Sequence, residues 1–170
     1  MGQVSDTELR VVAANIQAML KVPAKVLAPM PIPEEVYQPR RGQYDAGLIL
    51  QHLSLLPFPQ HLRILAVTDV DLCNPMLTYV FGQAELGRQF AVVSTFRLKE
   101  SGDGTSAPPA LYYERLAKVA LHEVAHTFSL YHCESPKCLM QVCRKVRDLD
   151  ERDILFCERC SFVLRHNVMS

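Results

Sequence analysis

The feature that most constrains this chain is a group of three histidines in the segment LHEVAHTFSLYHCESPKCLM, which begins at Leu121. His122 and His126 are four residues apart, so on a helix both imidazoles leave the same face one turn apart. His132 follows six residues later, which is too far along a straight helix for it to join the pair. The sequence therefore predicts a helix that ends after His126 and a chain that turns back.

Three imidazoles in this pattern are typical of a zinc site. A tetrahedral zinc ion binds histidine nitrogens at about 2.0–2.1 Å. Glu123 stands beside the first histidine, where a carboxylate can reach a zinc-bound water. We therefore expect His122, His126 and His132 to hold a catalytic zinc and Glu123 to act as the base. The alternative is that they are unrelated polar residues on a helix surface.

A second set of metal-binding residue types follows at once. Five of the six cysteines lie in the last 38 residues, from Cys133 onward, and such clustering favours metal binding over scattered core thiols. Cys157 and Cys160 form a CxxC pair, and Cys133 and Cys138 form a looser pair. Together they supply the four sulfur ligands of a closed structural zinc site. A redox pair or packed free thiols are the alternatives.

Two cysteines are not part of this set of four. Cys143 could replace Cys138 as a ligand, and Cys73 is predicted to be a core thiol.

The rest of the composition points to a soluble protein. No stretch approaches the ~20 apolar residues that span a bilayer, and the N-terminus has no basic region followed by an apolar run. We expect a cytoplasmic protein with no membrane partner, in a compartment where disulfides are rare.

Charge and length narrow the function further. Lys and Arg balance Asp and Glu at 18 each, so the chain has no overall field that would attract nucleic acid. Nearly half of its 170 residues are apolar, which is enough to bury the core of about one domain. The sequence gives no indication of an oligomeric state.

The predicted elements alternate between helices and strands. Ser5 and Glu8 form a capping box before a helix over 6–20, and the strongest helix runs from about 110 to 130. Strands are predicted over 25–30, 62–70, 77–83 and 90–98, and further helices over 44–53 and from Asp148 toward Cys157. The last two strands are joined by a turn at Gly87-Arg88. The polar segment 99–109 is predicted to be a mobile loop.

These residues resemble the archaemetzincins, a family of metzincin zinc metallopeptidases, over about residues 23–160. The matching segments are His122-Glu123-x-x-His126, His132-Cys133, Cys138-Leu139-Met140, Cys157-x-x-Cys160, RGQYDA (41–46), TDVDL (68–72), YVFGQA (79–84) and VVSTFRL (92–98). The resemblance implies an α/β fold, a metzincin-like single domain over 1–170 with a twisted, mixed but mostly parallel sheet flanked by helices. Residues 1–132 would hold the sheet and the active-site helix, and 133–170 the zinc-bound C-terminal part.

The resemblance also implies roles for the site residues. The three histidines would hold the catalytic zinc and the four cysteines a structural zinc, giving two ions per chain. Met140 would be the Met-turn methionine, packed beneath the catalytic site without binding metal. Where the family carries glycine, three residues after His126, this chain has Ser129. We expect Ser129 to adopt a left-handed conformation at a cost of about 1 kcal/mol.

The expected function is hydrolysis of peptide bonds by a zinc-activated water, with Glu123 as general base. The substrate would be a peptide or protein, added as a strand to a sheet edge at 77–84. A zinc-binding interaction domain without catalysis is the alternative, and a redox-sensitive zinc switch at the cysteines is a third hypothesis. The presence of Glu123 favours the enzyme, because a binding module does not need a carboxylate beside an open zinc position.

Overall fold

The computed structural model describes residues 1–58, 62–101 and 104–169. Within these ranges the chain forms five α-helices and six short strands. The helices are α1 (Asp6–Leu20), α2 (Ala46–Ser54), α3 (Pro109–Thr127), α4 (Val146–Asp150) and α5 (Glu158–Met169). The strands are β1 (Tyr37–Gln38), β2 (Gln43–Asp45), β3 (Ile64–Thr68), β4 (Leu72–Cys73), β5 (Gly82–Ala84) and β6 (Phe90–Ser94). Short 3-10 helices cover Glu34–Val36 and Phe96–Lys99.

The strands form two small mixed sheets, in the orders β1-β2-β4 and β3-β6-β5. The α/β class and the mixed pairing were expected, but the two sheets contain parallel and antiparallel pairs equally. β5 runs antiparallel to β6 because a tight turn at Gly87 (φ +67°) joins them. After β3 the chain leaves the second sheet. At this point Ser94, the last residue of β6, donates a hydrogen bond from its hydroxyl to Val70 O at 2.5 Å.

The strands β3 and β6 are buried on both faces, and alternate residues meet different helices. Ala66 and Val92 pack in the cluster that contains α2, whereas Val67 and Val93 pack in the cluster that contains α1 and α3. This is the two-residue period of a strand. Burying each large aliphatic side chain stabilises the fold by about 1.5–3 kcal/mol. The layers therefore hold α3 firmly against β5 and β6.

The two longest predicted helices are confirmed. The Ser5 hydroxyl accepts a hydrogen bond from the Glu8 amide at 3.2 Å, and the Glu8 carboxylate accepts from the Ser5 amide at 2.6 Å. These are the two bonds of the capping box. α3 begins one residue before the predicted start and ends three residues before the predicted end.

Several other boundaries differ from prediction for local reasons. Residues 25–30 form no strand, and prolines at 29, 31 and 33 remove amide donors there. The helix predicted over 44–53 begins at Ala46, because the Asp45 carboxylate caps it by accepting from the Leu48 amide at 3.1 Å. The strand predicted over 77–83 begins only at Gly82. The strand predicted over 90–98 ends at Ser94 and continues as a 3-10 helix.

The C-terminal part also differs from prediction. The helix expected from Asp148 is the short α4, in which Asp148 accepts from the amides of Arg144 and Lys145 at 2.8 and 2.9 Å. A second helix, α5, starts at Glu158 and was not predicted. In the loop predicted over 99–109, residues 102–103 lie outside the described residues, and its mobility stays a prediction. No helix in the described ranges is long and apolar enough to cross a membrane.

Candidate metal centres and cleft

Two of the predicted ligands lie on the last two turns of α3. The rings of His122 and His126 meet edge to face with centroids 4.7 Å apart. Each ring is oriented by a backbone carbonyl, since His122 Nδ1 lies 2.8 Å from Leu139 O and His126 Nδ1 lies 2.6 Å from Leu130 O. Because a carbonyl only accepts hydrogen bonds, each Nδ1 carries the proton and each Nε2 presents a lone pair.

The third imidazole reaches the pair because α3 ends sharply after Thr127. Ser129 has φ +63°, the left-handed conformation expected for it. The Ser129 amide donates to His126 O at 2.9 Å, and the Leu130 amide donates to Ala125 O at 3.1 Å. These two hydrogen bonds form a Schellman C-cap. The chain then returns, and the ring centroid of His132 lies 5.3 Å from that of His122 and 4.8 Å from that of His126.

The three imidazoles fit a bound cation. Their ligand nitrogens lie within 4.8 Å of one another, and the Nε2 atoms of His122 and His126 are 3.1 Å apart. Two lone pairs that face each other at this distance repel unless they share a cation. Burial lowers the pKa of His122 to about 3 and also lowers the pKa values of His126 and His132. The rings are thereby kept neutral, which is the form that binds metal.

Glu123 lies between the histidines and β5. Its side chain is buried, and burial raises the pKa of its carboxyl group to about 8. The side chain packs against Gly82, where an added Cβ would lie 2.6 Å from Glu123 Cγ. The glycine at position 82 therefore leaves the space in which this carboxylate lies. No local sequence pattern indicates this role of Gly82.

The structure also brings four cysteines together. The sulfur atoms of Cys133, Cys138, Cys157 and Cys160 all lie within 4.8 Å of one another, and those of Cys133 and Cys157 are 3.8 Å apart. Hydrogen bonding from the Cys160 amide is the main cause that lowers the pKa of Cys157 to about 7. A thiolate is the form that binds metal, and four sulfurs are the donor set of a closed structural zinc site.

The two groups share one stretch of backbone. His132 belongs to the histidine group and the next residue, Cys133, belongs to the cysteine group. The Cys133 amide donates to Met140 O at 2.9 Å, and Leu139 O orients His122. Met140 is fully buried, as the sequence predicted for an apolar residue at this position. An interaction that fixes the position of residues 132–140 therefore fixes parts of both the histidine group and the cysteine group.

The two remaining cysteines lie outside the group of four. Cys143 Sγ lies 2.7 Å from Arg152 Nη1, and burial raises the pKa of this thiol to about 11. It therefore does not take the place of Cys138. Cys73 is fully buried, as expected of a core thiol.

The histidines and Glu123 line one cleft of about 870 Å³. Residues 74–84, which include β5, form one wall, and the segment after Met140 forms the other. Two cations that the sequence analysis did not identify, Lys118 and Arg152, also line the cleft. Lys118 has a local signal, because it lies one helical turn before His122. Arg152 has none, because only the tertiary fold brings it to the cleft.

Two histidines on an HExxH helix and a third from the loop that follows, with a buried carboxylate beside them in a cleft, define the class of zinc-dependent metallopeptidases. The model of peptidase family M54 matches residues 3–166, so the chain belongs to this family of zinc metallopeptidases. An archaemetzincin from Archaeoglobus fulgidus is 33% identical over 163 residues, covering 96% of this chain and 94% of the relative. The substrate of the family is a peptide or protein.

Solved structures agree with this assignment. The crystal structure of archaemetzincin from Methanopyrus kandleri matches with a TM-score of 0.89 at 31% identity, covering 100% of this chain and 92% of that one. A zinc-dependent peptidase from Methanocorpusculum labreanum matches with a TM-score of 0.85 at 31% identity, covering 95% of each chain. The expected archaemetzincin resemblance is thereby confirmed.

Proposed function

We propose that His122, His126 and His132 hold a catalytic zinc ion and that Glu123 is the general base of peptide hydrolysis. The observation that carries this proposal is the pair of facing Nε2 atoms, 3.1 Å apart, beside a buried carboxylate in an open cleft. Zinc held there supplies a Lewis acid that polarises the scissile carbonyl and activates water for attack.

The protein's own groups orient the ligands and move the proton. The carbonyls of Leu139 and Leu130 keep the protons of His122 and His126 on Nδ1, so that both Nε2 lone pairs would be available to hold the metal. Glu123 accepts a proton from the attacking water on a carboxylate oxygen and passes it to the leaving amine. Its place against Gly82 keeps it beside the strand on which we propose the substrate lies.

We propose that an extended peptide adds to β5. Among the described residues, this strand pairs with β6 on one side only, so its other edge is open. The open edge lines the cleft that contains the histidines and Glu123. Backbone hydrogen bonds to an edge strand bind a peptide in extended form with little regard to its sequence.

We also propose a second, structural zinc ion on Cys133, Cys138, Cys157 and Cys160, giving two ions per chain. Four converging sulfurs with one thiol poised near neutral pKa support this proposal. Met140, which is fully buried at the end of the stretch 132–140 that the two groups share, would support the histidine site from below as the Met-turn residue.

Glu123→Ala and Glu123→Gln test the assigned base. We expect both variants to keep the zinc content of the wild type and to lose at least about a hundredfold in hydrolysis of a peptide mixture followed by mass spectrometry. Glu134→Ala, which changes an exposed glutamate nearby, is the control. Unchanged turnover in both Glu123 variants would show that another group is the base.

A further inference from the structure

Two arginines of the fold hold an aspartate in the same way. Arg97 Nε and Nη2 donate to the two carboxylate oxygens of Asp71 at 2.6 and 2.7 Å. Arg115 Nε and Nη2 do the same to Asp150, at 2.6 and 2.7 Å. This side-on fork is the geometry in which a guanidinium binds a carboxylate most strongly.

Arg152 also lines the cleft, but no carboxylate among the described residues binds its guanidinium in this way. Its Nη1 donates to Gln141 O and to Cys143 Sγ, and its Nη2 donates to Val142 O at 3.2 Å. Arg152 is only 8% exposed, and its Nε is buried and has no hydrogen-bond partner among the described residues. A guanidinium is always charged, and a buried donor without an acceptor is unfavourable.

A second buried cation, Lys118, lines the same cleft and is paired with Glu114. Lys118 is 1% exposed, and its Nζ donates to Glu114 Oε1 at 2.6 Å and to Leu149 O at 2.9 Å. An ammonium has three N–H donors, so one of them has no partner in the part of the chain that the structure describes. Val119 and Val142 line the same cleft and offer apolar contact.

This part of the cleft is close to the reacting centre. Lys118 lies one helical turn before His122 on α3, and both line the cleft. Arg152 lines the same cleft as His132. A side chain held by Arg152 would therefore belong to a substrate residue next to the bond that is cut.

We propose that Lys118, Cys143 and Arg152 form a subsite that binds the carboxylate of a glutamate or aspartate flanking the scissile bond. This inference rests on the function proposed above. The apolar wall accommodates the methylene groups, and the carboxylate fills the fork of Arg152. Because Nε is buried in the free protein, the guanidinium shifts toward the cleft when the carboxylate enters. A site built in this way discriminates against glutamine and asparagine, because their neutral amides leave the charge of Arg152 unpaired.

The test is calorimetric and needs no turnover. The probes are two matched pairs of peptide hydroxamates, which bind zinc through the hydroxamate group. Within each pair, one member carries glutamate and the other carries glutamine at the same position. The first pair carries this residue on one side of the hydroxamate, and the second pair carries it on the other side. We expect the zinc-loaded full chain to bind the glutamate member of one pair at least about tenfold more tightly than the glutamine member.

Variants then assign the preference to the subsite. Arg152→Met should abolish the preference for glutamate, and Arg152→Lys and Lys118→Met should each reduce it. Arg144→Met, which removes an exposed arginine lining the same cleft, should leave it unchanged. Zinc content and thermal unfolding are measured for each variant. If Arg152→Met loses zinc or cooperative unfolding, Arg152→Lys and Lys118→Met decide the result.

Three outcomes would overturn the proposal. Equal affinity for both members of both pairs would show that the cleft does not select a carboxylate, while leaving the proposed function intact. A preference that survives in the Arg152 and Lys118 variants would place the recognition elsewhere. Failure of every hydroxamate to bind the zinc-loaded chain would overturn the catalytic zinc and the subsite together.

Discussion

The histidine group and the cysteine group are built on different kinds of support. Two of the three histidines come from α3, a long helix packed on β5 and β6, and only His132 comes from a loop. In the cysteine group, Cys160 alone belongs to a helix, in the first turn of α5. The cysteine group is also the more enclosed, since Cys138 and Cys160 are buried whereas His132 is exposed.

This difference indicates which group depends on the other. The core packing of α3 fixes His122 and His126 without any metal. His132 has no such support, because it is held by the segment that leads into Cys133 and pairs with Met140 O. We therefore expect loss of the cysteine site to disturb the histidine site, and loss of the histidine site to leave the cysteine site intact.

Cys160→Ser should have the largest effect. Zinc binding by closed cysteine sites contributes about 10 kcal/mol or more of folding free energy in small domains, so we expect a large fall in melting temperature. We expect about two zinc ions per chain in the wild type and one or fewer in the variant, with loss of hydrolysis. Metal analysis of protein purified without added metal and calorimetry measure these effects.

Cys143→Ser is the matched control, because this neighbouring thiol lies outside the group of four. It should keep both ions. A wild type that holds about one ion, with no change in Cys160→Ser, would exclude a zinc site at the cysteines.

His122→Ala tests the reverse direction. We expect the variant to lose one zinc ion and all hydrolysis but to keep the ion at the cysteines. Its melting temperature should fall much less than that of Cys160→Ser, because α3 is held by its packing. Loss of both ions would contradict the proposed direction of dependence.

What the sequence predicted depends on how local each feature is. The capping box of Ser5 and Glu8 defined α1, and the spacing of His122 and His126 indicated their common helix face, because both patterns are complete within one or two turns. The left-handed Ser129 was expected from the family resemblance, because the family carries glycine at this position, where the helix must stop sharply.

Features set by distant contacts were not predictable. The segment before Gly82 has the composition of a strand, but Arg41 holds it as a loop by donating to the carbonyls of Asn74, Leu77 and Thr78. The place of Arg152 in the cleft likewise depends on tertiary folding. The two-sheet arrangement depends on the parallel pairings of β2 with β4 and of β3 with β6, which join short strands distant in sequence and which no local pattern encodes.

Gly82→Ala should have a smaller effect than the loss of a ligand and should act mainly on activity. The added methyl group would lie 2.6 Å from Glu123 Cγ and 2.8 Å from Val92 O, so the carboxylate must move. We expect a loss of about a hundredfold in turnover, as displacement of a catalytic group by an ångström can cause. Both zinc ions should remain, which separates this variant from changes in ligands.

The Glu123→Ala background is the control for this prediction. Removing the Glu123 side chain removes one of the two close contacts, so Gly82→Ala should lower the melting temperature less there than in the wild type. Equal losses in both backgrounds would mean that the strand, and not the carboxylate, requires glycine at position 82.

Ser129→Gly should have the smallest effect, and the opposite sign. Ser129 occupies the left-handed region at φ +63°, which is unfavourable for residues other than glycine by about 1 kcal/mol. We expect the glycine variant to melt about 2–4 °C higher, with unchanged zinc content and turnover, whereas Ser129→Ala, which keeps the strain, should gain nothing. A fall in melting temperature in both variants would show that the hydroxyl stabilises the turn. A rise in the melting temperature of Ser129→Gly together with weaker zinc binding would show instead that the strained turn helps to hold His132. The end of α3, as well as the cysteine site, would then support the third ligand.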